Sequence, residues 1–173
     1  MTIRKVKKSD NKHLADLIKA VFDEYDAPKV GTVYSDPTTD DLYELFKNPK
    51  SVLWVVEENG EVLGCCGVYP SEGLPIDCVE LVKFYLMPKA RGRKIGTRLM
   101  EQNIQSAKEL GYSQLYIESL SEFDNAVKMY QKLGFTNLKK PLGDTVHTSC
   151  NIWMIKKLLE EYECVSNQRL KKK

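Results

Sequence analysis

The sequence predicts an α/β (α+β) fold in one domain, a mixed central sheet of about seven strands with helices on both faces. Three observations carry this. Segments of period-2 alternation are interspersed with segments of helical period, so strands and helices are both present but do not strictly alternate. An Asn-Gly pair joins two long apolar runs, the signature of a hairpin. Finally, the 173 residues contain no fixed-period repeat and no linker long enough to separate two units. Residues 1–158 are therefore read as one domain and 159–173 as a charged tail.

The elements follow in chain order. "TIRKV" alternates and runs to Ser9, read as an N-cap, after which Leu14, Leu17, Ile18, Val21 and Phe22 fall on one helical face. "DAPKVGTVYSDP" breaks the periodicity and reads as a loop. Thr39, followed by Asp40 and Asp41, is expected to open a short second helix with Leu42, Leu45 and Phe46 inward. "SVLWVVEENGEVLGCCGVYP" reads as the hairpin, turning at Asn59-Gly60, and "CVELVKFYLM" as the next strand. Ile95, Leu99, Ile104, Ala107 and Leu110 form a helical stripe ending at Gly111. "SQLYIES" is a strand, "FDNAVKMYQKLG" a helix stopped at Gly134, and "FTNLKK" and "CNIWMIKKL" are closing strands.

Composition removes several function classes. A net charge of +2 is too small to argue for nucleic acid or a membrane surface. No apolar run reaches membrane-spanning length and the opening "MTIRKVKKSD" lacks a signal-peptide core, so a cytoplasmic protein is expected. Five cysteines without a C-x-x-C pair argue against a disulfide framework, and with only two histidines no metal site is expected.

The stretch "KARGRKIGTRLM" (residues 89–100) places five basic residues and two glycines at the start of a helix, where the dipole favours negative charge. A bound anion resolves that conflict. The free N–H groups of a helix start cradle anions, Gly92 and Gly96 let a ligand approach, and Arg91, Arg93, Lys94 and Arg98 add positive charge. The spacing matches neither the P-loop nor the three-glycine dinucleotide fingerprint. A pyrophosphate-bearing cofactor is the functional reading, and a solvated basic helix is the alternative.

"LVKFYLMPKARGRKIGTRLM" followed by "DNAVKMYQKLGF" resembles the two central motifs of the GNAT superfamily of N-acetyltransferases. Arg91-Gly92-Arg93-Lys94-Ile95-Gly96 is similar to that family's [RQ]-x-x-G-x-[GA] hexad, with Lys94 standing where the first glycine is usual. Asn125, Ala126, Tyr130, Gly134 and Phe135 resemble its second motif. The resemblance implies a GNAT-type single domain with a mostly antiparallel sheet, whose middle strands part to admit acetyl-CoA as co-substrate. It implies that the residues binding acetyl-CoA are Tyr85, Leu86 and Met87, the loop residues Arg91, Gly92, Arg93, Lys94, Ile95, Gly96 and Thr97, and Asn125 and Tyr130. The pantetheine arm would lie along the backbone of Phe84–Met87 as an added strand.

The same resemblance implies direct attack of a primary amine on the thioester, with no enzyme nucleophile, which leaves Cys65 and Cys66 as core residues. Tyr130 is then the general acid and Glu80 the base, with Glu118 or a water relay as the alternative to Glu80. Lys128 and Lys132 are read either as phosphate contacts or as solvation of their helix, and His147, near the final hairpin that often borders the acceptor pocket in the family, is read as a surface histidine in preference to a pocket residue. The acceptor is an amine of a small molecule, protein or peptide, and the oligomeric state is left open, a homodimer included. Asp23, Glu24, Asp26, Asp36, Asp40 and Asp41 make the first third acidic, which suits a cationic acceptor or else reflects capping and solvation. The competing function is an acyl-CoA-binding regulator of the same fold without catalysis. A nucleic-acid module is disfavoured because no aromatic platform accompanies the local charge.

Overall fold

Seven strands form one sheet in the order β1-β2-β3-β4-β5-β7-β6. They are β1 (Thr2–Lys5), β2 (Val52–Glu58), β3 (Glu61–Tyr69), β4 (Cys78–Leu86), β5 (Gln114–Ser119), β6 (Thr136–Asn137) and β7 (Ile152–Lys157). The helices are α1 (Asn11–Glu24), α2 (Leu42–Leu45), α3 (Ile95–Glu109) and α4 (Asp124–Lys132). The structure is a computed structural model and describes residues 1–144 and 146–158; the charged tail and Cys164 lie outside the described residues. The fold is the predicted one, and its helices pack on both faces. On one face α1 and α2 bury Leu14, Ile18, Phe22 and Leu42 against Leu53, Val55 and Cys65. On the other, α3 and α4 bury Ile95, Leu99, Met100 and Tyr130 against Val79, Leu81 and Ile117.

Local chemistry explains most element ends. Asn59 (φ +53°) and Gly60 (φ +78°) make the two-residue turn of the β2–β3 hairpin, with Glu58 paired to Glu61. Two expected caps move. Ser9 sits inside a 3-10 turn, and it is Asp10, only 5% exposed, that organises the entry to α1. Its carboxylate accepts from Lys7 N at 2.7 Å and from the two terminal nitrogens of the Arg4 guanidinium, at 2.8 and 2.9 Å. Likewise Thr39 is fully buried, donating its hydroxyl to Val33 O at 2.8 Å, so Asp41 caps α2 instead. The expected strand at 135–140 shrinks to Thr136–Asn137, because only those residues pair with Met154 and Ile155 at the sheet edge. The chain then crosses toward the α1 side, where Ser149 N bonds Gly31 O at 3.1 Å.

Two irregularities of β4 create the working space. Among the described residues its ladder with β5 is the one parallel pairing of the sheet and holds only at Cys78–Gln114, Val79–Leu115 and Glu80–Tyr116. Beyond Glu80 the two strands part. In addition, a β-bulge inserts an extra residue opposite Cys66, with Lys83 at φ +54°. Two carbonyls at the bulge find side-chain donors, Lys83 O from Cys65 Sγ at 3.0 Å and Cys66 O from Asn103 Nδ2 at 3.3 Å. Cys65 and Cys66 are thus fully buried core residues, and burial pushes the Cys65 thiol up to about 12.

Candidate active site

The gap between the parted strands is a cavity of about 530 Å³. Most of the expected site residues line it: Glu80, Tyr85, Leu86, Arg91, Gly92, Lys94, Gly96, Thr97, Asn125 and Tyr130, together with Glu118. Of the other three, Arg93 and Ile95 bring only their backbone N–H groups to the site, and Met87 lies outside the lining. Ile95 is 1% exposed and anchors α3 in the core, while the Arg93 guanidinium reaches away to Glu58 at 2.8 Å. Met87 packs on the core with both backbone groups engaged, its N–H on Leu63 O and its carbonyl accepting from Ala90 N, each at 2.9 Å. The Leu86 carbonyl is also taken, by Arg91 Nη2 at 2.9 Å. With the backbone of Leu86 and Met87 so engaged, the part of β4 left open lies nearer Leu81–Tyr85 than the Phe84–Met87 expected from sequence.

The loop before α3 is an N–H cradle. Among the described residues, no backbone acceptor takes the N–H of Gly92, Arg93, Lys94, Ile95, Gly96 or Thr97; the first to be bonded after Arg91 is Arg98, to Lys94 O at 3.1 Å. That is the unsatisfied start of a helix, suited to phosphate oxygens. A Cβ on Gly96 would stand 3.2 Å from the Phe84 ring and 3.5 Å from Leu86, so glycine lets α3 pack closely on β4. The side chains contribute less charge than expected. Arg91 clamps the loop to the end of α1, forming a two-pronged pair with Glu24 at 2.6 and 2.9 Å over the Tyr25 ring. Lys89 pairs with Glu61, leaving Lys94 and Arg98 without an ion pair among the described residues. Lys94 itself takes the left-handed conformation, φ +61°, which explains why its place suits glycine. Lys94→Gly is expected to raise stability by about 1 kcal/mol, read as a higher Tm, by relieving that conformation.

Glu80 sits where β4 and β5 part, hydrogen-bonded by the Ser71 hydroxyl. Burial raises its pKa to about 7, helped by nearby Glu118 and opposed by Ser71 and Lys83. Glu118 accepts from Tyr116 Oη at 2.9 Å. Tyr130 forms another wall, its ring packed on Phe84 and Phe135 with centroids 6.2 and 5.9 Å away. Lys128 pairs with Asp124 at 2.6 Å, in keeping with solvation of α4.

His147 is not a surface residue. Its Nε2 lies 3.1 Å from Asp36 Oδ2, and the ring lines the cavity. Ser71 and Lys83 were missed at the sequence level, and Asp36 was noted there only as one of the acidic residues of the first third. Of the two missed, only Lys83 left a trace there, as a lysine at which the inward alternation of β4 changes phase. The acidic first third is mostly spent internally: Asp23 pairs with Lys29 at 2.5 Å, Glu24 with Arg91, Asp40 with Lys19 at 2.8 Å, and Asp41 caps α2.

Residues 18–135, which include both walls and the cradle, match the acetyltransferase (GNAT) family. The chain belongs to this family. The GNAT chain is 33% identical over 157 residues to the uncharacterized N-acetyltransferase YjgM of Escherichia coli K12, covering 90% of this chain and 94% of that one. Among solved structures it superposes on a GNAT-family acetyltransferase from Staphylococcus aureus Mu50 with a TM-score of 0.79, at 20% identity over 91% and 99% of the two chains. It also superposes on YncA of Salmonella typhimurium, a structure with acetyl-CoA, with a TM-score of 0.73 at 22% identity over 93% and 95%. Among the described residues, no helix of this GNAT protein is long and apolar enough to cross a membrane.

Proposed function

We propose that this GNAT protein transfers the acetyl group of acetyl-CoA to a primary amine by direct attack within a ternary complex. The observation that carries the reading is the meeting of three features in one cavity: the N–H cradle at α3, the open edge of β4, and Glu80 with a pKa near neutrality at the point where β4 and β5 part. The residues present fit acetyl-CoA. The N–H groups of Gly92 to Thr97 bind the pyrophosphate, with Lys94 and Arg98 alongside, and the β4 edge takes the pantetheine amides. Bound there, acetyl-CoA supplies an activated acyl group, so no nucleophile of the chain is required, and the buried thiols of Cys65 and Cys66 stay out of the chemistry.

Glu80 removes the proton from the incoming ammonium, directly or through water. Tyr130, on another wall of the cavity, returns a proton to the departing thiolate. Burial holds the Tyr130 hydroxyl above its ordinary pKa of 10, so it remains a proton donor throughout the neutral range. The test is release of free CoA thiol by the purified protein with acetyl-CoA and a panel of amines, alongside calorimetric binding of acetyl-CoA. Turnover on any amine supports the transferase. Tight binding with no turnover on the whole panel overturns it in favour of a non-catalytic acyl-CoA-binding regulator.

A further inference from the structure

Lys83 is a buried lysine held by one long hydrogen bond and one distant ion pair. The bulge turns its side chain toward the α1 face, where it is 4% exposed. Its Nζ donates to Thr39 Oγ1 at 3.3 Å, a long bond to a hydroxyl whose own proton goes to Val33 O at 2.8 Å. Asp36 Oδ2 stands 3.8 Å away, beyond hydrogen-bond reach. That carboxylate is engaged elsewhere, by Thr38 N at 2.9 Å, Thr38 Oγ1 at 2.7 Å and His147 Nε2 at 3.1 Å. An ammonium has three N–H donors, and burying one this poorly paired costs several kcal/mol. Desolvation accordingly pushes the pKa of Lys83 down.

The position of Lys83 gives that cost a use. A second cavity, of about 190 Å³, adjoins the first, and both are lined by Glu80, Val82, Lys83, Glu118 and His147. The throat between the cavities thus carries two carboxylates and a cation. This is a dipolar site, and it is small against the roughly 300–1,000 Å³ of drug-sized ligand sites. We propose that Lys83 binds a carboxylate of the acceptor, whose amino group lies beside Glu80, so that the acceptor is a small amino acid-type molecule and not a polyamine. The inference rests on the acetyl-transfer reading and names its substrate class. Glu72 and Asp144 also line the second cavity and repel further negative charge, so an acceptor with a single carboxylate fits better than a diacid.

The experiment compares α-amino acids with the same molecules after amidation or removal of the carboxylate, and with diamines, by CoA-thiol release at fixed acetyl-CoA. A charge-assisted hydrogen bond corresponds to roughly a tenfold to hundredfold preference in kcat/KM for the carboxylate-bearing acceptor. Lys83→Met, which keeps the length of the apolar stem, is expected to bring that ratio close to one through KM, and Lys83→Arg to preserve it. Diamines or amidated acceptors turning over better than the amino acids overturn the assignment while leaving acetyl transfer intact. So does a Lys83→Met enzyme that loses turnover on both acceptor types equally, which marks a purely structural lysine. Should Lys83→Met fail to fold, the wild-type panel and Lys83→Arg still decide. An absence of turnover on every amine, with acetyl-CoA bound, removes the transferase reading itself.

Discussion

Glu80→Gln is expected to lower kcat/KM by about 10²–10⁴-fold and to abolish the acidic limb of the pH–rate profile. The wild-type limb should lie near pH 7, since burial raises Glu80 from its ordinary 4.5 to about 7 and only the ionised form accepts a proton. Ser71→Ala provides a second reading of the same group. The Ser71 hydroxyl bonds the carboxylate and holds its pKa down, so its loss should move the limb to higher pH without abolishing it. If the limb survives in Glu80→Gln and vanishes in Glu118→Gln, Glu118 is the base. A stability effect accompanies the kinetic one. Because the folded-state pKa lies above the unfolded value, the folded chain holds the Glu80 proton more tightly, and stability declines as pH rises from about 4.5 through 7. Glu80→Gln should therefore raise Tm relative to wild type more at pH 8 than at pH 4, as thermal melts at the two pH values would show.

Tyr130→Phe is expected to reduce kcat about 10²-fold or more, with little change in acetyl-CoA affinity or in Tm. The ring packs between Phe84 and Phe135, and phenylalanine preserves those contacts, so the substitution removes the hydroxyl while leaving the wall in place. Stopped-turnover and binding measurements on the same preparation separate the two effects. Equal turnover by Tyr130→Phe and wild type would show that the leaving thiolate takes its proton from elsewhere. A large loss of acetyl-CoA affinity would instead make Tyr130 a wall residue without a chemical part.

What can be read from this sequence is what neighbouring residues decide. The α1 stripe, the α3 stripe and the Asn59-Gly60 turn depend on periodicity and φ within a few residues, and each is where the pattern puts it. The anion cradle is legible for the same reason: glycines and cations at a helix start express local backbone physics. The fate of the basic residues is not local. Arg91 and Arg93 meet Glu24 and Glu58 only because α3 packs on the sheet beside α1 and β2, 67 and 35 residues away in sequence.

The acceptor side belongs almost wholly to tertiary structure. In β4, Val79 and Leu81 face α3, and so do Phe84 and Leu86, a change of phase at Lys83 that marks the bulge. The sequence contains that change of phase, but it cannot say that the displaced lysine ends against Thr39 and Asp36. Nor can it bring His147 to Asp36 across 111 residues, or make Glu80 nearly neutral in pKa. Those properties depend on burial and on which charges face one another across a gap. Most strands, the helices and the N–H cradle are legible locally, because backbone preferences act over a turn or a pleat; the edge strand at 136–137 and the caps of α1 and α2 are not, because partners elsewhere in the chain set them. The parting of β4 from β5, the buried lysine and the dipolar throat were decided only when the sheet closed, because desolvation and long-range pairing exist only in the folded chain.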